Sequence, residues 1–328
     1  MSMGRVVLGT LLLGLVGTIL LISSALNGTA KLRDVTAVGG TSSVATTTTT
    51  APTRLGVGQA TALGAVEGIT EYLPVSSTGH LLITERLLHV GTGDDKDATD
   101  TYTVVIQIGA ILAVLGIFWR RFTSMAEGLV GRSEEGRRTL INVVVAFVPA
   151  GIVGKLFGDS VKEHLLNPTA VAITWIVGGV VILWFVSRQG RLVTRIDSIA
   201  DLGVRNAAII GVAQTLALIP GTSRSLVTIL AAMLLGVSMQ AAVEFSFLLG
   251  FVTLSAATAL ELVQNGGTLV DKFGIMAPAV GIVVAGITAF FSVKFMIDWL
   301  NRRGLGVFGW YRIGVGVIAC ILIMGGKI

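Results

Sequence analysis

The sequence predicts an all-α polytopic membrane protein. We expect six core transmembrane helices plus two re-entrant helix hairpins in an inverted-topology repeat, with an extra N-terminal apolar helix. Three observations predict this fold: the composition, the spacing of the apolar runs, and two apolar stretches interrupted by related polar motifs. The 328 residues are 53% hydrophobic and 13% charged, whereas soluble domains carry about 25% charged residues.

The basic residues argue for a membrane and against nucleic acid as a partner. The formal net charge is +5, but the arginines lie in short segments beside apolar runs, as the positive-inside rule predicts. The single cysteine, Cys320, excludes an intramolecular disulfide and is predicted to be a small packing residue.

Residues 1–27 are predicted to form a signal-anchor helix or a signal peptide. A basic start is followed by an apolar run from Val6 to about Ile22, and Ser23-Ser24-Ala25 resembles a cleavage site. We favour the anchor because the run is long for a signal peptide. Residues 28–55 form a Thr-rich, low-complexity linker, and residues 56–328 are the predicted membrane domain.

Six apolar runs of the membrane domain are about long enough to cross a bilayer. They lie near 101–119, 139–157, 169–187, 240–263, 275–298 and 306–325. Two further stretches, 59–88 and 206–236, contain a proline and polar clusters at their centres. Such segments are tolerated only inside protein or beside a water-filled cavity, so we interpret both as re-entrant hairpins.

Loop charges predict the orientation. Basic segments follow the first, third and fifth spans, at 120–138, 188–205 and 302–312, the last including Arg302, Arg303 and Arg312, while 85–100 is acidic. If the basic segments are cytoplasmic, every span alternates correctly. The first hairpin then enters from outside and the second from inside.

The two hairpins resemble each other. Gly64-x-x-Glu67 followed by Pro74-Val-Ser-Ser77 lines up with Gly211-x-x-Gln214 followed by Pro220-Gly-Thr-Ser223. Opposite entry sides imply two inverted halves, about 56–187 and 206–328. Broken hairpins of such halves build a site near the bilayer midplane.

Glu67 and Glu71 of the first hairpin predict a metal site. They are four residues apart and share one helix face. Two close carboxylates in low dielectric need a cation or a shared proton, and oxygen ligands suit Mg²⁺ or Ca²⁺. The alternatives are a solvated pair at a cavity mouth and one protonated acid.

Pro74-Val-Ser-Ser-Thr-Gly-His80 predicts an anion site. Loop amides and a helix N-terminus favour phosphate, and Ser76, Ser77 and Thr78 add hydroxyl donors. One hydroxyl could act as a nucleophile if a base activates it. His80 could serve as acid or base; the alternative is a hydrogen-bonded packing residue.

The second hairpin supplies a permanent cation in Pro220-Gly-Thr-Ser-Arg-Ser225. Arg224 suits phosphate oxygens, although a structural salt bridge to Glu67 or Glu71 is the alternative. Thr228 faces either the site or a neighbouring helix. Together the two hairpins contain carboxylates, hydroxyls, a histidine and an arginine, a set that is suited to phosphoryl transfer. Their position in the membrane suggests a lipid-linked phosphate as substrate.

These motifs closely resemble the two signatures of the undecaprenyl-diphosphatase family, also called bacitracin-resistance proteins. The likeness covers roughly residues 55–328 and includes Val105–Val114, Phe118–Arg121 and Glu244–Leu249. It implies dephosphorylation of undecaprenyl diphosphate to undecaprenyl phosphate. That reaction recycles the lipid carrier of bacterial cell-wall synthesis and confers bacitracin resistance.

The resemblance also implies residue roles and a multi-pass location in the bacterial plasma membrane, with the active site open to the outer side. Glu67 and Glu71 would hold the divalent cation. The catalytic residues would be Glu71, Ser77, His80 and Arg224. Among them Ser77 would be the nucleophile, His80 its acid–base partner and Arg224 the residue that binds the diphosphate. Substrate-binding residues would be Ser76, Thr78, Gly221, Ser223, Ser225 and Thr228. The second motif differs from that of the family at one place, where Leu226-Val227 replace a pair of small residues. This difference either narrows the pocket or changes the packing of a helix.

Three questions stay open in the sequence. Ser77 either forms a phosphoenzyme or orients water. A transporter or flippase of polyprenyl phosphate would use the same inverted-repeat site, and fold alone does not separate it from an enzyme. A homodimer is compatible with these features. A structural scaffold does not explain so many polar groups in apolar segments.

Overall fold

The computed structural model describes residues 55–91, 93–190, 192–326 and 328. The predicted N-terminal helix and all but the last residue of the predicted linker lie outside them. The described residues form twelve α-helices and no β-strand. We number the helices α1 (Val57–Thr70), α2 (Ser77–Leu87), α3 (Lys96–Val105), α4 (Gln107–Ile117), α5 (Trp119–Leu129), α6 (Glu134–Leu165), α7 (Pro168–Gln189), α8 (Val204–Gln214), α9 (Arg224–Leu234), α10 (Met239–Phe273), α11 (Met276–Arg303) and α12 (Gly306–Met324).

The described chain contains six helical segments that are long and apolar enough to cross a membrane, which confirms the six predicted spans. They are residues 93–117, 134–158, 168–189, 239–273, 276–303 and 306–324. Several start or end beyond the predicted limits because polar turns extend the helices. The Ser133 side chain, for example, accepts a hydrogen bond from the Gly136 N–H and starts α6 five residues before its apolar run.

The interrupted stretches form two helix–loop–helix hairpins, α1–α2 and α8–α9. The longest of their four helices, α1, has 14 residues and therefore measures about 21 Å, less than the roughly 30 Å of a hydrocarbon core. Residues 71–76 connect α1 to α2, and we call them the first loop. Residues 219–223 precede α9, and we call them the second loop.

Each hairpin packs against a long helix from the other half of the chain. Helix α1 lies along α11, and α8 lies along α6, through glycines that let the backbones approach. A Cβ at Gly64 would lie 2.6 Å from the Gly281 carbonyl oxygen, and one at Gly211 would collide with the Ala146 carbonyl. The long helices thereby hold the two loops in fixed positions.

Replacing Gly64 with valine is expected to destabilise the protein by about 1–3 kcal/mol, because the atoms opposite are backbone and cannot move aside. Gly58 on the same helix has open space around it, so Gly58→Val is the matched control. Thermal unfolding of both variants in detergent tests this contact. An equal loss of Tm in the two variants would contradict it.

Candidate active site

The first loop contacts the end of the second loop and the start of α9, although 150 and 152 residues separate the contacting residues in sequence. The Ser225 hydroxyl donates to the Leu73 carbonyl at 2.9 Å, and the Ser223 hydroxyl reaches the same oxygen at 3.5 Å. Both serines are buried. The predicted meeting of the two polar motifs is therefore present in the structure.

Glu71, Ser77 and Arg224 form the centre of the site. The Ser77 hydroxyl donates to Glu71 Oε2 at 2.5 Å, and Arg224 Nη2 donates to Glu71 Oε1 at 2.8 Å. The carboxylate is thus shared between a hydroxyl and a guanidinium, both largely removed from solvent. The salt bridge that the sequence left as an alternative for Arg224 exists, and it is made with Glu71.

Arg224 keeps one nitrogen available for a further acceptor. Its Nη1 is buried and has no hydrogen-bond partner within the described residues. The guanidinium lies over the ring of Tyr72 at 5.6 Å and against Gly250, where a Cβ would lie 2.6 Å from its Cζ. A guanidinium held this way can pair with a carboxylate and an anionic oxygen at the same time.

Glu67 lies one helical turn before Glu71 and is 0% exposed. Neither of its carboxylate oxygens has a hydrogen-bond partner in the described part of the chain. Burial of a carboxylate without a partner is costly, so a proton or a cation must compensate it. The described residues contain no cluster of three or more metal-ligating side chains, and a cation here would also need oxygens from substrate or water. Mg²⁺ is often bound in this way, through one or two carboxylates plus substrate phosphates.

Both loops end in a strained serine. Ser76 has φ 72° and ψ 101°, and Ser223 has φ 75° and ψ 115°. Positive φ is costly for a residue other than glycine, and such strain concentrates at functional sites. Each serine immediately precedes a helix, so Ser77 and Arg224 are the first residues of α2 and α9. The free N–H groups of both helix ends are available to an anion.

His80 does not contact the Ser77 hydroxyl. Its Nδ1 lies 2.7 Å from the Ser76 carbonyl, and its Nε2 lies 2.8 Å from the Tyr311 hydroxyl. A carbonyl only accepts, so Nδ1 carries a hydrogen, and in the neutral ring Nε2 accepts from Tyr311. His80 therefore holds the strained serine of the first loop, while Glu71 is the group at the Ser77 hydroxyl.

The remaining predicted site residues have different surroundings. Thr78 is exposed. Gly221 has φ 86°, and a side chain there would collide with Thr174. Thr228 is 1% exposed and bonds to the Arg224 carbonyl and, at 2.6 Å, to the Ser246 hydroxyl. Those contacts match the packing alternative for Thr228, and the buried Leu226 likewise belongs to the core.

One sequence interpretation is wrong. Arg312 was assigned to a basic cytoplasmic segment, but it lies in α12 and is 0% exposed. Its guanidinium contacts both loops. The sequence indicates the position of Arg312 in the membrane, because the residue follows Gly306 and lies within the last apolar run. Tyr311, which contacts His80, lies in the same run and is likewise part of α12.

Comparison with known proteins agrees with the motifs. The family model described as bacitracin resistance protein BacA matches residues 60–318. The chain is 44% identical over 256 residues to a protein of Methylococcus capsulatus named undecaprenyl-diphosphatase, covering 78% of this chain and 91% of that protein. It is 40% identical over 268 residues to undecaprenyl-diphosphatase 1 of Acinetobacter baylyi, covering 82% and 96%.

Proposed function

The chain belongs to the bacitracin resistance protein BacA family, and we propose that it is a membrane phosphatase that converts undecaprenyl diphosphate to undecaprenyl phosphate. The observation that carries the proposal is the Ser77 hydroxyl held by Glu71 beside Arg224. A base, a hydroxyl and a guanidinium with a free nitrogen are the parts that phosphoryl transfer requires. The names of the relatives support the lipid diphosphate as substrate.

In the proposed reaction, Glu71 accepts the proton of the attacking group. If Ser77 attacks, a bond forms between its oxygen and the terminal phosphorus, the bond to the bridging oxygen breaks, and undecaprenyl phosphate leaves. Water then hydrolyses the phosphoserine. If Ser77 instead orients water, the water oxygen attacks the terminal phosphorus and gives a proton to Glu71. The bond to the bridging oxygen breaks, so undecaprenyl phosphate and inorganic phosphate form in one step. Trapping with labelled substrate distinguishes the two routes.

The charge on the phosphoryl oxygens would be stabilised by groups from both hairpins. Arg224 Nη1 has no other partner in the described chain, and the helix ends at Ser77 and Arg224 supply N–H donors. The substrate-binding roles of Ser76, Thr78, Gly221, Ser223 and Ser225 are part of this proposal. His80 would contribute by fixing the Ser76 carbonyl and by exchanging a proton with Tyr311.

We further propose that Glu67, together with Glu71, holds a divalent cation, either Mg²⁺ or Ca²⁺. The two carboxylate oxygens of Glu67, which lack a hydrogen-bond partner among the described residues, support this assignment. A bound cation would supply charge neutralisation for the diphosphate.

The arrangement in the membrane is also a proposal. We propose that both hairpins are re-entrant and belong to two inverted halves, with the site open to the outer side of the plasma membrane. The reciprocal packing of α1 on α11 and α8 on α6 supports the repeat, as does the presence in each hairpin of a strained serine immediately before its second helix. The outward opening depends on the loop charges. A homodimer is a separate proposal, which light scattering in detergent would test.

The deciding experiment measures phosphate release from undecaprenyl diphosphate by the detergent-solubilised protein. We expect release in the presence of Mg²⁺ or Ca²⁺ and its loss with EDTA, restored by added cation. A transporter or flippase needs two compartments and would release nothing in detergent. Absence of phosphate release from folded protein under all cation conditions would contradict the enzyme and favour that alternative.

A further inference from the structure

Arg312 joins three parts of the chain through backbone carbonyls. Its Nη2 donates to Gly221 O at 2.7 Å and to Thr174 O at 3.0 Å, and its Nη1 donates to Pro74 O at 3.3 Å. These acceptors belong to the second loop, to α7 and to the first loop. No carboxylate lies within ion-pair distance of Arg312 among the described residues.

This environment is unusual for a buried cation. Removing a charge from water costs several kcal/mol, and a carboxylate normally compensates it. Here the compensation comes from three carbonyls. Two of them, at Pro74 and Gly221, belong to the irregular backbone of the loops, where a buried carbonyl needs a donor from outside its own segment. The third, at Thr174, lies in α7. The planar guanidinium has five donors in a fixed arrangement and can serve several carbonyls at once. A lysine ammonium has a different shape and reach.

The two loop contacts fall at corresponding positions when they are counted from the first residue of the following helix, one residue away from the motif alignment that pairs Pro74 with Pro220. Pro74 lies three residues before Ser77, and Gly221 lies three residues before Arg224. In each loop the strained serine, Ser76 or Ser223, lies between the contacted carbonyl and the functional residue. Arg312 thus holds the two loops at the same point, immediately before the backbone turns into α2 and α9.

We infer that Arg312 is a positioning residue that fixes the two loops relative to each other, so that Ser77 and Arg224 act on the same phosphoryl group. The inference rests on the proposed phosphatase function. Arg312 is 0% exposed, and each hydrogen bond that it makes to the described residues goes to backbone, while its Nε is buried without a partner there. It therefore acts through Ser77 and Arg224 and does not itself bind the substrate.

Gly178 provides a second way to test this role. A Cβ at Gly178 would lie 2.7 Å from Cζ of Arg312, so Gly178→Ala displaces the guanidinium without removing its charge. Arg312→Lys keeps the charge and changes the geometry. Arg121→Met is the control, because Arg121 also joins three elements, but through Glu135 and Glu244, and none of its hydrogen bonds reaches either loop.

The experiment combines kinetics with hydrogen–deuterium exchange. We expect Arg312→Lys to lower kcat for phosphate release about 100-fold, the cost of a displacement near 1 Å, with KM changed less than about threefold. Gly178→Ala should lower kcat in the same way. Millimolar guanidinium should partly restore kcat in Arg312→Ala, while an equal concentration of sodium chloride should not. Backbone amides of both loops should exchange faster in Arg312→Lys, with the long helices unchanged.

Several results would overturn the inference. An Arg312→Lys variant with wild-type kcat and wild-type loop exchange would remove the positioning role. A change confined to KM would assign Arg312 to substrate binding. Only a structural role would remain if the loss of kcat in the Arg312 variants were proportional to their loss of Tm, equal to the loss in Arg121→Met, and not restored by guanidinium. If wild-type protein releases no phosphate, the proposed function fails, while the loop exchange still supports or contradicts the inference.

Discussion

Replacing Glu71 with glutamine is expected to lower kcat for phosphate release about 1,000-fold, because the side chain that we propose as acceptor of the proton of the attacking group becomes an amide. Glutamine has the same shape, and its carbonyl oxygen can still accept the Arg224 hydrogen bond. The loss of the negative charge leaves Arg224 without its ion pair, so we also expect a lower Tm. Kinetics on purified protein and thermal unfolding measure the two effects separately.

Glu244→Gln is the matched control for Glu71→Gln. Glu244 also pairs with an arginine, Arg121, at 2.5 Å, and its hydrogen bonds go to neither loop. The control should lose Tm while keeping kcat at temperatures below unfolding. A Glu71→Gln variant with kcat close to wild type would exclude Glu71 as the proton acceptor and return that role to another group.

His80 is the residue whose contacts differ most from those that the sequence predicts. Its place three residues after Ser77 suggested direct proton transfer between the two. Residues three apart on a helix do share a face, but the ring of His80 turns to the Ser76 carbonyl and Tyr311. That choice depends on the strained backbone at Ser76 and on a tyrosine 231 residues later. Neither follows from local spacing.

The large-scale features were predictable because each depends on local composition. Runs of about 20 apolar residues predict spans, and proline with clustered hydroxyls predicts where a hairpin breaks. The pairing of Glu71 with Arg224 was also within reach, since a buried arginine in an apolar hairpin needs an anion. The same rule applies to Arg312, which lies inside α12 and is buried there.

The burial of Arg312 is not predictable from the sequence for a physical reason. The positive-inside pattern counts basic residues near the ends of apolar runs and assumes that they reach water. Whether a given arginine does so depends on acceptors from other elements, here the carbonyls of Pro74, Thr174 and Gly221. Every residue has a backbone carbonyl, so the sequence does not show which carbonyls will accept a hydrogen bond from an arginine. The contacts of Arg312 can therefore be identified only from the three-dimensional structure.

Replacing Glu67 with glutamine is expected to change activity and stability in opposite directions. Without the carboxylate that supports the proposed cation site, we expect phosphate release to fall about 100-fold or more at saturating Mg²⁺ or Ca²⁺. In EDTA the variant should unfold at a higher temperature than wild type, because a buried carboxylate with no partner in the described residues has been removed. Thermal unfolding in EDTA and in added cation gives a readout independent of turnover.

The dependence of Tm on cation concentration tests directly whether Glu67 is a cation ligand. A ligand that binds only the folded state raises Tm as its concentration increases, so Mg²⁺ or Ca²⁺ should stabilise wild type and the Glu244→Gln control. The same cation should leave Glu67→Gln unchanged. An equal cation-dependent rise in Glu67→Gln would contradict Glu67 as a ligand. The buried carboxylate would then have to be protonated, which is the alternative that the sequence had already left open for this pair of acids.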